Sequence, residues 1–130
     1  KEGIWEEYSV NGQLNRKEIY KNGILNSHTE FYYYEGGQLN YLGNYKDGQE
    51  DGLWEYYYQN SQLEFKFYWK DGKLDGPEEY YYENGQLMSE GNYKGGKKEG
   101  LWEYYDIVGT QIKNEIWKDD KLVSCQGDCQ

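Results

Sequence analysis

The sequence predicts an all-β fold: an elongated, single-layer, twisted antiparallel meander of β-hairpin repeats with about 24 residues per repeat. Three observations predict this fold. The amino-acid sequence repeats at a fixed period, aromatic residues take the place of an aliphatic core, and turn dipeptides recur at regular intervals. Each observation limits what the chain can do, and together they favour a repeat module over a compact enzyme domain.

The repeat is visible directly in the amino-acid sequence. "GLWEYYYQNSQLEFKFYWKDGKLD" begins at Gly52, "GPEEYYYENGQLMSEGNYKGGKKE" at Gly76 and "GLWEYYDIVGTQIKNEIWKDDKLV" at Gly100, so these starts lie 24 residues apart. Further units begin at Gly3 and Ser27, and the latter carries one extra residue, which we place near its Gly-Gly pair. Self-similarity at a fixed period is typical of repeat architectures, in which one unit is too small to bury a core alone.

These units define the predicted domain organisation. They cover residues 3–123, and the opening "KEG" matches the end of another unit. We therefore expect a five-unit array over 1–123 whose start is truncated within a preceding unit, followed by a C-terminal tail over 124–130.

The composition combines few aliphatic residues with many aromatic ones. Leu, Ile, Val and Phe together make up 22 of 130 residues and the net charge is −10, which is the range of disordered chains. The chain nevertheless contains 17 Tyr and 5 Trp, residues that disordered chains lack. Because a ring buries a large area while its polar tip stays in water, aromatic residues suit a thin structure with solvent on both sides.

Each unit has the pattern strand, turn, strand, turn. The run Leu53–Tyr58 ends at Asn60-Ser61, where sister units have Asn-Gly, and the alternating run Gln62–Lys70 closes at Asp71-Gly72. Such dipeptides favour type I′ hairpin turns, whose two central residues need positive φ. We expect about ten strands and, at the usual spacing between strands, a sheet roughly 45 Å long.

The alternation assigns side chains to the two faces. A glutamate and a tyrosine two residues later recur in the first strand of the units and should share one face. These are the candidate partner-binding residues: Glu30, Glu55, Glu79, Glu103, Tyr32, Tyr57, Tyr81 and Tyr105. Tryptophans occupy the opposite face. A lysine closes every second strand, and we expect a Glu/Lys ladder in which each exposed pair contributes only ~0.2–1 kcal/mol.

Four residues are predicted to be structural. Trp54 and Trp102 lie on the face opposite the glutamates. Gly43 and Gly91 stand in the middle of strands, where a glycine weakens the strand unless a neighbouring ring covers the gap. We expect the rings to cover these glycines.

Residues Tyr80–Tyr105, "YYYENGQLMSEGNYKGGKKEGLWEYY", resemble the bacterial variant of the MORN repeat. The resemblance covers nearly the whole chain. It implies β-hairpin arrays that act as protein-binding or scaffolding modules, in some members with lipid contact, and bacterial arrays of this kind are often antitoxin or immunity components. The first unit lacks the tyrosine run, and the last departs from the pattern at Asp106–Thr110 and Asp119-Asp120. Such terminal units resemble caps, and the free edge strands leave self-association open.

The residues argue against catalysis and against a cofactor or metal. His28 is the only histidine and is predicted to lie at the surface, and five equivalent glutamates lack the asymmetry that a two-carboxylate site needs. No phosphate-binding loop or zinc-type ligand spacing is present. Cys125 and Cys129 flank a Gly-Asp turn, so either a disulfide between them or a free-thiol tail is expected.

The net charge limits the classes of partner that the chain can bind. A net charge of −10 repels nucleic acid and anionic membranes, whereas it attracts a protein with a basic surface, such as a toxin or a nucleic-acid-acting enzyme. We therefore expect an inhibitor of the antitoxin or immunity kind. The alternative is a structural or cell-surface array, with weak glycan or lipid contact, whose rings mainly pack against one another. The cytoplasm is the favoured location, and the cell envelope stays open as an alternative.

Overall fold

The computed structural model describes residues 1–130, and its regular secondary structure is β-strand throughout. The strands are β1 Gly3–Tyr8, β2 Leu14–Lys21, β3 Ile24–Tyr33, β4 Leu39–Lys46, β5 Gln49–Tyr57, β6 Leu63–Lys70, β7 Lys73–Leu74, β8 Gly76–Tyr81, β9 Leu87–Lys94, β10 Lys97–Tyr105, β11 Gln111–Lys118 and β12 Lys121–Gly127. They form one open sheet in chain order, with β7 paired to β6 beside the main path. The predicted single-layer antiparallel meander is confirmed. No helix is present that could span a membrane.

The sheet has 12 strands rather than about ten, for two reasons. A single residue, Asp75, separates β7 from β8 and divides what the sequence suggests is one strand. At the other end, β12 pairs with β11 and runs to Gly127, so the sheet takes in the first residues of the segment 124–130 that was expected to be a tail. Cys125 and Cys129 form a disulfide just there, with their Cα atoms 5.9 Å apart.

The turns are of two kinds, of which the sequence predicted one. At Asp71-Gly72 both residues have positive φ, 51° and 77°, as a type I′ turn requires. The Asn22-Gly23 turn is of the same kind, with φ 55° and 76°, whereas at Asn11-Gly12 and Asn84-Gly85 only the second residue has positive φ. Gly12, for example, has φ 88° and donates its N–H to the Ser9 carbonyl, while the Ser9 N–H reaches the Gln13 carbonyl. The type I′ prediction is wrong at these sites because a longer loop, a type I turn followed by a left-handed residue, closes them.

One face carries a continuous row of stacked rings, and we call it the ring face. Its row consists of Tyr32, Tyr41, Tyr56, Phe65 and Tyr80, which lie opposite one another on successive strands. Neighbouring ring centroids are 4.5–4.9 Å apart and the planes differ by 3–17°. Offset stacking of this kind adds roughly 0.5–1.5 kcal/mol per pair to the burial of the rings. The row therefore links β3 to β8 in the absence of a second layer.

Two tryptophans on the ring face are the most deeply buried hydrophobic side chains. Trp54 is 8% exposed and Trp102 is 3% exposed. Each lies across a glycine of the preceding strand: a Cβ at Gly43 would lie 2.7 Å from the Trp54 ring, and one at Gly91 would lie 1.9 Å from the Trp102 ring. Only glycine leaves room for the indole to lie flat on the backbone, and the indole in turn covers the exposed strand.

A column of tyrosines joins each repeat to the next. The hydroxyls of Tyr34, Tyr58 and Tyr82 donate to the carbonyls of the residues 23 positions further on, at 2.6, 2.7 and 2.9 Å. The third ring of each tyrosine run thus fixes the neighbouring repeat. Turn side chains do the same, since the Asn60 amide donates to the Glu83 carbonyl at 3.0 Å.

We expect Tyr58→Phe to lower the free energy of unfolding by about 0.5–1.5 kcal/mol, because it removes the hydrogen bond to the Tyr81 carbonyl and leaves the ring in place. Chemical denaturation measures the loss. Tyr68→Phe is the matched control, since the Tyr68 hydroxyl makes no hydrogen bond within the protein. Equal losses in the two variants would contradict the role of the Tyr58 hydroxyl.

Candidate functional site

The face opposite the rings carries a row of acids, and we call it the acidic face. Its row, in strand order from β5 to β10, is Glu55, Lys66, Glu79, Glu90 and Glu103, each directly opposite the next. Cross-strand partners of this kind lie on the same face with their side chains in contact distance. Three carboxylates therefore stand in file on the adjacent strands β8, β9 and β10.

Only one cation offsets this row. Lys66 Nζ lies 3.1 Å from Glu79 Oε1. The expected Glu/Lys ladder does not form. The lysines that close every second strand stand beside the hairpin turns and make no ion pair: Lys21, Lys46, Lys70, Lys94 and Lys118. Glu90 and Glu103 are consequently left without a basic neighbour of their own.

The environment of Glu90 reflects this crowding. Partial burial raises the pKa of its carboxyl, and the charges of Glu103 and Glu79 raise it further. A like charge on each side disfavours ionisation, so the row holds its negative charge at a cost in stability. A cationic partner would remove that cost.

We expect Glu90→Gln to be more stable than the wild type at pH 7 by about 0.2–1 kcal/mol, because the amide removes two like-charge contacts. The folded-state pKa of Glu90 lies above the ordinary value of 4.5, so the penalty is complete at neutral pH. It disappears as the pH falls through the folded pKa and then below 4.5. Unfolding measured across this range should show the advantage shrinking. Glu83→Gln, at an exposed turn, should show none, and an advantage that does not depend on pH would contradict the explanation.

Tyrosines accompany the acids. Tyr57 lies two residues beyond Glu55 and donates to its Oε1 at 3.1 Å. Burial raises the pKa of Tyr57 to about 12, with the Glu55 charge adding to the shift. Burial likewise raises the pKa of Tyr81, and Glu79 adds to it. Both hydroxyls therefore remain protonated donors at neutral pH, next to carboxylates.

Two candidate residues lie on the other face. Tyr32 stacks on Tyr41 in the ring row, 4.5 Å between centroids, and donates to Glu30 at 2.7 Å. Glu30 accepts from Arg16 at 3.4 Å as well. The structure thus separates Glu30 and Tyr32 from the other three Glu/Tyr pairs.

The cause is the position of one residue. β3 has ten residues where β5 has nine, so the extra residue lies in the strand. The turn after it, Tyr34–Gln38, is bonded in the same way as Tyr58–Gln62. Placing the extra residue near the Gly-Gly pair was wrong, and a shift of one residue moves side chains to the opposite face. Tyr33, not Tyr32, is the counterpart of Tyr57, because each pairs with the leucine after its turn.

His28 is more enclosed than the sequence suggested. Its side chain is 11% exposed, it stacks on Tyr45 with 4.7 Å between centroids, and its Nε2 lies 3.0 Å from Glu30 Oε2. The prediction of a surface position is wrong because the ring of Tyr45, on the next strand, covers it.

Sequence reasoning missed a set of charged residues on the ring face. Glu18 binds Arg16 at 2.9 Å, and Glu115 accepts from Trp117 at 2.9 Å. Lys98 lies over two tryptophan rings, with its Nζ 4.6 Å from the Trp102 centroid and 4.5 Å from that of Trp117. The sequence does contain a pattern that could have identified Lys98, since a lysine also stands four residues before the tryptophan of the first unit.

The model of the MORN repeat variant family matches residues 1–22, 29–47, 50–71 and 74–94. The match ends before the last unit, where the turns depart from the repeat. No curated protein matches the chain.

Two solved structures show weak likeness. Accessory secretory protein 1,2 and 3 in Streptococcus pneumoniae gives a TM-score of 0.41 at 16% identity, covering 70% of this chain and 17% of that one. S. aureus TarM in complex with Fondaparinux, alpha-GlcNAc-glycerol and UDP gives 0.42 at 7% identity, covering 75% and 19%. The chain thus spans less than a fifth of either protein. Scores this low do not establish a shared fold.

Proposed function

The chain belongs to the family of MORN repeat variants, and from this premise we propose that it is a non-catalytic protein-binding module whose acidic face docks a partner with a basic surface. The observation that carries the proposal is the file of Glu79, Glu90 and Glu103 on adjacent strands, with Lys66 as its only cation. A partner that places lysines or arginines between these acids relieves their mutual repulsion.

Electrostatics also favours a basic partner over longer distances. The net charge of −10 attracts a cationic surface and raises the rate of encounter, especially at low ionic strength. The same charge opposes direct contact with nucleic acid or with an anionic membrane.

Tyrosines supply the anchors that charge alone lacks. Tyr57 and Tyr81 lie half-buried beside the acid row, and Tyr105 continues their column. Tyrosine is enriched in interface hot spots because it offers a large rigid ring and a hydroxyl donor. A ring-bearing sheet face with acids between the rings suits an enzyme surface that normally contacts nucleic acid. An inhibitor of the antitoxin or immunity kind is the form of this function that we favour.

A scaffold is the second candidate, and the ring row favours it. The stacked rings continue over five strands with the same spacing, so the face can extend with each added repeat and without a distinct site. In that case the length of the array, rather than any one side chain, determines the function.

Affinity enrichment from cells of the source organism tests the proposal. The wild type is compared with a folded variant that carries Tyr57→Ala, Tyr81→Ala and Tyr105→Ala. We expect one basic protein to be recovered by the wild type and lost with the variant and with added salt. Equal recovery by both, or recovery that salt does not change, would overturn the proposal in favour of the scaffold.

A further inference from the structure

We propose that Trp54 and Trp69, together with Glu50, form a slot that binds a lysine side chain of a protein partner. The slot lies on the ring face, so the inference goes beyond the docking surface described above. It rests on a comparison of equivalent positions within the same array.

The array contains two filled examples of the slot. Just before the last unit, Lys98 Nζ lies 4.6 Å from the Trp102 ring centroid and 4.5 Å from that of Trp117. In the first unit, Lys1 Nζ lies over an indole and a phenol ring at 5.4 and 5.2 Å. Both distances are within the range of cation–π attraction, which is strongest for tryptophan. Twice, therefore, the fold places an ammonium group between an aromatic ring of one strand and an aromatic ring of the next.

The pair Trp54 and Trp69 has the same frame. Gly52 lies directly opposite Trp69, as Gly100 lies opposite Trp117. Both glycines have φ 79°, so the strand bends in the same way at both places. The tryptophan two residues beyond each glycine packs edge-on against a tyrosine of the preceding strand, with 5.3 Å between centroids in both units.

Two residues differ between the two units. Phe67 lies opposite Trp54 where Glu115 lies opposite Trp102, and the charged residue at the mouth differs as well. Lys98 pairs with Tyr93 of the preceding strand, and Glu50 pairs with Tyr45. Glu50 thus occupies the position that supplies the ammonium group in the filled slot. It is exposed and forms no ion pair.

No cation of the chain lies over Trp54 or Trp69. A lysine brought by a partner would meet the partly exposed Trp69 ring, the 8% of Trp54 that stays exposed and the Glu50 carboxylate. A cavity of about 200 Å³ beside Glu50 is lined by Asp47, Asp51 and Asp71 as well as by Lys46, so four carboxylates outnumber one ammonium group and the lining attracts a positive charge. The internal examples are lysines, and lysine is therefore the side chain that we assign to the slot.

Nuclear magnetic resonance titration tests the slot with a defined probe. The probe is Nα-acetyl-lysine N-methylamide, and its neutral control is the norleucine analogue, both at constant ionic strength. We expect the indole N–H signals of Trp54 and Trp69 to shift saturably with the lysine probe and not with the norleucine analogue. Equal shifts with both compounds would overturn the proposal.

Substitutions at the charged position sharpen the test. Glu50→Lys should fill the slot from within and weaken probe binding about three-fold or more. Glu83→Lys makes the same charge change at an exposed turn and should leave binding unchanged. The reciprocal Lys98→Glu should open a second slot, so that the Trp102 and Trp117 signals also respond.

Retained binding in Glu50→Lys, or equal losses in the two lysine variants, would overturn the proposal. The Glu50 comparison stands by itself if Lys98→Glu fails to fold. Because the probe replaces any protein partner, the slot can be confirmed while the acidic face fails to bind a basic protein, and the reverse result is equally distinguishable.

Discussion

Trp102→Ala is expected to lower the free energy of unfolding by about 3–5 kcal/mol, the range for removing a buried tryptophan. Trp102 is 3% exposed and covers the backbone at Gly91. In a one-layer sheet no second layer moves in to close the gap, and a small domain has only ~5–15 kcal/mol of stability in total. Denaturant unfolding measures the loss.

Trp5→Ala is the matched control for this prediction. Trp5 holds the equivalent position in the first unit but is 45% exposed, so a much smaller loss is expected. A comparable loss in both variants would show that burial on a glycine is not what makes Trp102 important.

A double-mutant cycle separates the contribution of the Gly91–Trp102 contact from that of burying the Trp102 ring. A Cβ at Gly91 would lie 1.9 Å from the Trp102 ring, so Gly91→Ala must displace the indole. The same substitution in the Trp102→Ala background has no ring to displace and should be tolerated. We expect a strong interaction energy between the two sites, and additive losses would contradict the account of the glycine.

The second large effect concerns association. A variant with Glu79→Gln, Glu90→Gln and Glu103→Gln is expected to bind the basic partner more slowly. At low ionic strength its association rate constant should be at most about one tenth of the wild-type value, because electrostatic steering depends on these charges. Its rate should also depend less on salt than that of the wild type. Stopped-flow or surface-based kinetics with the purified partner measures both.

The control for association removes the same number of charges elsewhere. Glu35→Gln, Glu83→Gln and Asp128→Asn lie at exposed turns and loops away from the acid row. A loss of rate equal to that of the row variant would mean that net charge alone, and not the acidic face, directs the partner.

Local patterns in the sequence predicted most of the fold. The repeat period gave the meander, and glycines in the middle of strands indicated that rings would lie on them, as Trp54 does on Gly43. Both inferences depend on neighbours along one or two strands, and the repeat makes such neighbours visible.

What failed depended on register and on three-dimensional spacing. The sequence alone does not decide at which end of β3 the extra residue lies. The pairing of Tyr33 with Leu39 and the bonding of the turn that follows place it within the strand. The lysine ladder failed because Lys70 and its counterparts stand at strand ends, beyond reach of the glutamates in mid-strand. The slot around Lys98 joins three residues on two strands. Their proximity cannot be read from the sequence until the register of these strands is known.

The central claim is that the stacked rings of the ring face hold the sheet together and that the row of acids on the acidic face docks the basic partner. The most direct test measures unfolding and partner binding on one preparation of the Glu79→Gln, Glu90→Gln, Glu103→Gln variant. The account predicts a stability equal to or above that of the wild type, together with lost binding. A destabilised variant that still binds the partner would contradict it.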